Sequence, residues 1–424
     1  MASLFLMLIL ILGVEAQAGI VSPRQGGKVP EQFQLLRQNL KGSFTLKHGW
    51  IERRSRQLKG EGSYRPVQYV SRCILSHPER ALSGQMNVPV VLGLYGDISE
   101  SPITPGMFQR ELFTGPCATG TLSEYYEEVS FGLLSVTGTV FDWVSLSYPE
   151  YYYTGGIHQG LTPGESRTGE LIKEVLDYLD PSVDFGAFDN DGPDGIANSG
   201  DDDGFVDVLV VIHPTRGAEC RNTRNMWSHS WVYCGWPASD SLPYLTDDPA
   251  AGGGVVKIDD YIICPALSCE SGMIEIGVFC HELGHTLGLP DLYDYNGFSS
   301  GIGNWGLMGS GNWNAPSSPA HLCAWSREQL GWVEPVEVDW QEQSLDLEPI
   351  AQSGEVVKLV LPTKRFRRCK QALAIGTYAM ICAYTKSEAD TREWPGSDGY
   401  GNEWRESIFH EFHSDGTSPV TLRY

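Results

Sequence analysis

The segment from Phe279 to Asp291, which reads FCHELGHTLGLPD, limits what this chain can fold into more than any other stretch. On a helix, His281 and His285 are four residues apart and lie on one face, so both imidazoles can bind a single metal ion. Glu282 then faces the water beside that ion as a general base. The spacing therefore predicts a helix that carries a zinc site.

Gly288 and Asp291, which follow the second histidine, extend the pattern. We expect Gly288 to adopt a positive φ that ends the helix, because glycine lacks the Cβ that disfavours this conformation. The turn would bring Asp291 back to the metal as a third, oxygen ligand. Three protein ligands leave a fourth position for water, which is typical of catalytic and not of structural zinc sites. An HExxH pattern arises by chance in roughly one chain of this size in a hundred, and the added Gly and Asp lower that by about two further orders of magnitude.

The start of the chain has the composition of an exported precursor. Residues 1–18 contain an apolar run and end in Ala16-Gln17-Ala18, so we predict a signal peptide and a secreted, extracellular protein. Residues 19–84 hold twelve Lys or Arg against four Glu, a balance of +8, whereas the chain from Gln85 onward carries −30. We therefore predict a pro-segment over 19–85 that docks on the body by charge complementarity.

The basic leader offers two further hypotheses. Arg53-Arg54 could be cleaved by a basic-specific peptidase during maturation. The thiolate of Cys73 could occupy the open metal position until cleavage, although an even total of ten cysteines also allows Cys73 to be disulfide-bonded.

Ten cysteines are many for a reduced cytosolic enzyme and indicate disulfides in an exported one. No CxxC pair is present, which argues against a finger-type zinc site. Cys264 with Cys269, or Cys220 with Cys234, are candidate pairs, but the sequence leaves the connectivity open.

The apolar patterning predicts a mixed fold. Thr121 to Glu124 forms a capping box that should open a short helix. The remaining predicted elements are strands over 88–95, 134–143 and 206–212, and helices over 31–40, 165–179, 273–287 and 320–330.

The segment from residue 189 to residue 207 is rich in aspartate, with glycines between the aspartates. Calcium takes six to eight hard oxygen ligands, and so many carboxylates would repel each other without a cation. An unliganded acidic surface loop is the alternative. The predicted calcium ligands are Asp189, Asp191, Asp194, Asp201, Asp203 and Asp207.

Two other residues carry weaker signals. Met308, in NWGLMGSG, occupies the place where a Met-turn would follow an extended HExxH helix, although a lone methionine is more often an ordinary core residue. His229, between Trp227 and Trp231, could polarise a substrate carbonyl, but we favour a packing role.

Four segments carry a resemblance to a known family: the zinc segment with Leu292-Tyr293-Asp294, the strand from Val206 to Pro214, the Met308 turn and the segment from Trp325 to Trp332. Together they resemble the immune inhibitor A family of secreted bacterial metallopeptidases. The resemblance covers about residues 86–340. It implies a zincin-like catalytic domain with His281, His285 and Asp291 as zinc ligands, Glu282 as catalyst and calcium bound elsewhere. Beyond about Leu361 the likeness fails.

We therefore predict an α+β, zincin-like fold in which a subdomain after Gly288 supplies Asp291 and the Met-turn. Its catalytic domain would span 86–335, followed by a β-rich C-terminal segment over 336–424. The predicted function is a secreted zinc endopeptidase acting on proteins or peptides. The acidic body argues against nucleic acid as a partner, and no segment is suited to stable membrane insertion. The alternatives are a catalytically inactive, calcium-stabilised binding module and a glycoside hydrolase, and the oligomeric state is left open.

Overall fold

The computed structural model describes most of the chain from residue 80 to residue 339 and shorter parts on either side. The described residues are 19–24, 28–31, 33, 48–59, 80–222, 224–295, 300–339, 344–345, 350–360, 370–375, 378–383 and 420–421. The predicted signal peptide, most of the predicted helix over 31–40 and Cys73 lie outside them.

The architecture is mixed α and β, as predicted. The helices are α1 (Trp50–Leu58), α2 (Pro105–Gln109), α3 (Leu122–Val129), α4 (Glu150–Thr154), α5 (Thr168–Leu179), α6 (Ile276–Thr286), α7 (Ala324–Gln329) and α8 (Ile350–Ser353). The strands up to residue 267 are β1 (Gly84–Leu94), β2 (Leu134–Ser145), β3 (Leu209–Arg216), β4 (His229–Val232), β5 (Tyr244–Pro249), β6 (Val255–Ile258) and β7 (Asp260–Leu267).

A five-stranded sheet in the order β2-β1-β3-β7-β4 organises the domain. The first four strands in that order pair in parallel, and β4 pairs antiparallel with β7 at one edge. Strands β5 and β6 form a separate antiparallel hairpin. Since β4 is the last strand in the order, its outer edge can pair with a further segment.

Both faces of the sheet are buried, because alternate residues of a strand point to opposite sides. Val90 and Leu92 of β1 pack in one core with α3 and α6. Val91 faces a second core, which contains the apolar residues of α5. This two-sided burial explains why β1 and β3 read as continuous apolar runs.

The predicted elements from residue 88 onward agree with the observed ones to within a few residues. The capping box is present, with Thr121 accepting from the Glu124 amide and Glu124 accepting from the Thr121 amide. The predicted helix over 320–330 begins only at Ala324, because the preceding residues are held by the loop before them: Ala320 donates to the Gly311 carbonyl and His321 accepts from the Leu307 amide.

Past residue 335 the described residues form short paired strands. β8 (Val336–Asp339) pairs in parallel with β10 (Val357–Val360), β11 (Lys370–Ile375) with β12 (Tyr378–Ala383), and β9 (Ser344–Leu345) with β13 (Val420–Thr421), the last two pairs antiparallel. Among the described helices, none is both long and apolar enough to cross a membrane.

The disulfide among the described residues differs from both candidate pairs, because Cys220 is bonded to Cys269. These cysteines follow β3 and β7, which are adjacent parallel strands, so their carboxyl ends lie side by side. A cysteine forms only one disulfide, so this bond excludes Cys264 with Cys269 and Cys220 with Cys234. Both predicted pairings were therefore wrong.

Candidate metal centre

Helix α6 carries both predicted histidines into the interior. His281, Glu282 and His285 are all fully buried. The helix lies close to the loop that contains Met308: a Cβ at Gly284 would come within 2.6 Å of the Met308 sulfur. Glycine at position 284 therefore permits the close approach of α6 to the loop beneath it.

The chain reverses after α6 as the glycine predicts. Gly288 has a φ of 93°, its amide donates to the His285 carbonyl, and the Leu289 amide donates to the Gly284 carbonyl. This turn returns Asp291 to the helix. Its Oδ1 lies 3.0 Å from Nε2 of His281 and 3.4 Å from Nε2 of His285.

The hydrogen bonds of the two imidazoles leave their Nε2 atoms available as ligands. Nδ1 of His281 lies 2.9 Å from the Leu307 carbonyl oxygen, and Nδ1 of His285 lies 2.8 Å from the Leu289 carbonyl oxygen. A carbonyl can only accept, so each Nδ1 carries the proton and each Nε2 keeps its lone pair in the neutral ring. Backbone carbonyls orient metal-binding histidines in this way.

Three ligand atoms, one each from His281, His285 and Asp291, lie within 4.8 Å of one another. Nε2 of His285 is buried and has no hydrogen-bond partner among the described residues. With both rings neutral, two nitrogen lone pairs and one carboxylate oxygen converge on one point, and a cation stabilises that arrangement. The donor set thus fits zinc.

Glu282 lies beside these ligands and is held by a serine from the edge strand. The Ser230 hydroxyl, on β4, lies 2.9 Å from Oε2 of Glu282. Oε1 of Glu282 is buried and has no partner among the described residues. Burial, together with the nearby charge of Asp291, raises the pKa of Glu282 well above its ordinary value. A carboxylate in this setting can accept and return a proton.

Two tyrosines complete the surroundings of the third ligand. The Tyr295 hydroxyl donates to Oδ2 of Asp291 and so orients the carboxylate. The ring of Tyr293 is 6.5 Å from that of His281, and its hydroxyl donates to the Ile20 carbonyl. The sequence analysis missed Ser230 and Tyr295. The tyrosine closely follows Asp291 and could have been found, whereas no local signal links Ser230 to the helix.

The start of the predicted pro-segment crosses this centre. Residues Gly19 to Val21 pair antiparallel with β4: the Ser230 amide donates to the Gly19 carbonyl, and the Val21 amide donates to the Ser228 carbonyl. A Cβ on Gly19 would lie 2.0 Å from Nε2 of His285. The segment therefore lies directly over the ligands, in the position of an added edge strand.

Tryptophans fix the same segment on both sides. The indole nitrogen of Trp227 donates to the Val21 carbonyl at 3.0 Å, and that of Trp313 donates to the Ser22 carbonyl at 2.8 Å. Ile20 and Val21 are fully buried. The backbone of Val21 and Ser22 is thus bound beside the candidate metal centre by specific contacts.

His229 belongs to the scaffold of this region, in line with the interpretation we favoured. Its Nδ1 lies 2.7 Å from the Trp227 carbonyl oxygen, and its Nε2 lies 2.9 Å from the Tyr261 hydroxyl. Burial lowers the pKa of His229 to about 4, so the ring is neutral. Both ring nitrogens are engaged within the protein.

The aspartate-rich loop forms a second candidate cation site. Asp189, Asp191 and Asp207 are buried, and one oxygen from each lies within 4.8 Å of the others. Oδ1 of Asp189 is buried and has no hydrogen-bond partner among the described residues. Burial and the neighbouring aspartates raise the pKa of Asp189 to about 8. An orphaned oxygen aimed into a group of carboxylates fits calcium.

The other three predicted calcium ligands bind backbone amides near this group. Asp194 accepts from Ile196, Asp201 from Asp194 and Asp203 from Phe205. The structure thus brings together three of the six aspartates, and the rest shape the loop around them.

Known proteins resemble the part of the chain that contains these residues. The sequence model of the family described as "Immune inhibitor A peptidase M6, catalytic domain" matches residues 94–335, which is more than half of the chain. The pre-pro-metalloprotease PrtV of Vibrio cholerae serotype O1 is 28% identical over 308 residues, covering 66% of this chain and 32% of PrtV. Immune inhibitor A of Bacillus thuringiensis subsp. alesti is 31% identical over 247 residues, covering 52% of this chain and 34% of that protein. The chain thus spans about a third of the length of these relatives.

Proposed function

Since this chain belongs to the immune inhibitor A peptidase family, M6, we propose that it is a secreted zinc endopeptidase with His281, His285 and Asp291 as ligands and Glu282 as general base. The observation that carries the proposal is the convergence of three ligand atoms beside a buried carboxylate. PrtV is named a metalloprotease, which supports the same class of activity. A zincin-like division at Gly288, with Met308 beneath the helix, is part of the proposal.

The residues of the cleft suggest how a peptide would be hydrolysed. When bound, zinc would act as a Lewis acid toward the scissile carbonyl and the attacking water. Oε1 of Glu282 takes a proton from that water and later delivers it to the leaving amine, while the Ser230 hydroxyl holds Oε2. Once the leader is removed, the outer edge of β4 aligns the substrate as an added antiparallel strand, along the path that Gly19 to Val21 follow here.

We further propose that the leader keeps the enzyme latent. Gly19 to Val21 lie along the strand edge where a substrate backbone would pair, so they would block substrate from the proposed zinc ligands. Removal of the leader after secretion would open the cleft. The Cys73 thiolate mechanism remains a separate hypothesis, because this cysteine is outside the described residues.

Calcium at Asp189, Asp191 and Asp207 is the structural part of the proposal. A cation that binds the folded loop alone stabilises the fold by mass action. We expect millimolar calcium to raise the melting temperature of wild type but not of Asp189→Asn, whose amide cannot replace the carboxylate charge. An equal response of both proteins would reject this cation site.

The test of activity is casein digestion by protein trimmed of its leader with limited trypsin. We expect digestion by the trimmed protein, loss with a zinc chelator and recovery when zinc is restored. Untrimmed protein should be nearly inactive. Activity that survives full removal of the metal would refute the zinc mechanism, and equal activity before and after trimming would refute latency.

The non-enzymatic alternative, a calcium-stabilised binding module, is not favoured. A relic site would have no need of Glu282, yet this carboxylate is present, buried and held by Ser230. The glycoside hydrolase alternative likewise gains no support from the family match.

A further inference from the structure

We propose that calcium and helix α1 compete for the loop over residues 189–207, here called the acidic loop, so that calcium binding releases α1 and exposes Arg53-Arg54 to a basic-specific peptidase. The proposal rests on the calcium site proposed above. Helix α1, which belongs to the predicted pro-segment, would be a second ligand of that site. The two ligands would exclude each other.

Arg56 occupies the position of a cation at the acidic loop. Its guanidinium donates to Oδ2 of Asp191, whose side chain is fully buried. It also donates to the carbonyl oxygens of Asp201 at 2.7 Å and Asp191 at 3.3 Å. Carboxylate and carbonyl oxygens are the ligands that calcium prefers, so Arg56 takes groups that the ion would need.

The same helix covers the loop at two further points. Arg53 donates to the carbonyl oxygens of Asn190 and Gly192, both at 3.2 Å. The indole nitrogen of Trp50 donates to Oδ2 of Asp207 at 2.8 Å. Helix α1 therefore contacts two of the three converging aspartates, Asp191 and Asp207.

The helix does not satisfy the loop completely. Oδ1 of Asp189 remains buried and without a hydrogen-bond partner among the described residues. A divalent ion carries twice the charge of a guanidinium and can contact all three carboxylates at once. Two guanidinium groups beside a bound calcium ion would repel it strongly in a partly desolvated site, so each ligand disfavours the other.

Docking also protects the dibasic pair from proteolysis. Arg53 is only 8% exposed and lies within helix α1. The Arg54 guanidinium donates to the carbonyl oxygens of Arg80 and Gln329. A peptidase that binds basic side chains in an extended backbone cannot engage this pair while α1 is docked. Release of α1 would make the peptide bond between Arg53 and Arg54 accessible.

The first experiment measures calcium affinity on the full chain, carrying Glu282→Gln so that it cannot digest itself. Arg56→Ala removes the competing guanidinium, and we expect its apparent calcium dissociation constant to fall about tenfold, because the competent state is more populated. Lys59→Ala is the control, since it removes the same charge from the exposed end of α1. It should leave the constant unchanged. Equal affinities for Arg56→Ala and the parent would overturn the competition.

The second experiment follows tryptic cleavage at Arg53-Arg54 by mass spectrometry as calcium is raised, with sodium chloride at matched ionic strength as the control. We expect calcium to accelerate cleavage at least tenfold and salt alone to do little. Unchanged or slower cleavage with calcium bound would overturn the proposal while leaving the calcium site intact. No calcium binding, with Asp189→Asn indistinguishable from the parent, would reject the site and the competition together.

Discussion

The Ser230 hydroxyl lies within hydrogen-bond distance of two oxygens of Glu282, 2.9 Å from Oε2 and 3.0 Å from the main-chain carbonyl. It thereby fixes the rotamer of the proposed base from the neighbouring strand. We predict that Ser230→Ala lowers kcat by about ten- to a hundredfold, as is typical when a supporting hydrogen bond is lost at a metal site. KM and zinc content should be unchanged.

Ser239→Ala is the matched control, because among the described residues this buried hydroxyl bonds only within its own turn. It lies within hydrogen-bond distance of the Cys234 and Trp236 carbonyls and accepts from the Ser241 amide. It should leave kcat unaffected. If Ser230→Ala instead lost zinc, or lost stability without a selective fall in kcat, the serine would be a structural residue.

Asp291→Ala should weaken zinc binding strongly, because two imidazoles alone form a poor site for the ion. The measurement is the zinc content of the purified protein after dialysis against a mild chelator. Asp294→Ala, three residues further on, is the control and should stay loaded. A zinc-replete Asp291→Ala protein would exclude Asp291 as a ligand and make Asp294 the candidate.

Gly19→Val should make the full-length protein more active. A Cβ at this position would lie 2.0 Å from Nε2 of His285, so the segment cannot keep its place over the ligands. We expect a severalfold rise in casein digestion by protein whose leader is shown to be intact by mass spectrometry. Lys28→Ala, at an exposed position of the same leader, should stay latent. No rise for Gly19→Val would show that this contact does not maintain latency.

Burial raises the pKa of Glu150 to about 7, although hydrogen bonds from Thr215 and from the Met226 amide lower it in part. Between the ordinary glutamate pKa and 7 the folded state binds more protons than the unfolded state, so stability falls as pH rises through this window. Urea unfolding should show a loss of roughly 1 to 3 kcal/mol from pH 5 to pH 8 that Glu150→Gln removes. The exposed control Glu165→Gln should keep the wild-type dependence of stability on pH. If Glu150→Gln keeps the same dependence, the prediction fails.

The sequence predicted most fully what a continuous segment determines. Two of the proposed ligands and the proposed base lie on one helix, and Gly288 sets the turn that returns Asp291, so the position of these side chains follows from local geometry. The capping box at Thr121 is local in the same sense.

Contacts set by topology could not be predicted. Ser230 contacts Glu282 because β4 pairs with β7 at the sheet edge. Gly19 lies close to His285 although the two residues are far apart in the sequence. The Cys220 to Cys269 bond likewise depends on β3 and β7 being neighbours. Periodicity identifies strands but not their order in the sheet.

The acidic loop lies between these cases. Its composition indicated a cation site, but not which aspartates converge, because this depends on the turns between them. Nor could it indicate that Arg56 binds Asp191, since only the fold brings α1 to the loop.

The most direct test of the proposed function is Glu282→Gln in protein trimmed of its leader. Glutamine keeps the shape of the side chain and leaves His281, His285 and Asp291 untouched, so zinc content should equal that of wild type. Peptidase activity should fall at least about a hundredfold, because an amide cannot accept the proton of the attacking water. A fully zinc-loaded Glu282→Gln protein that keeps more than about a tenth of wild-type activity would contradict the assignment of Glu282 as general base.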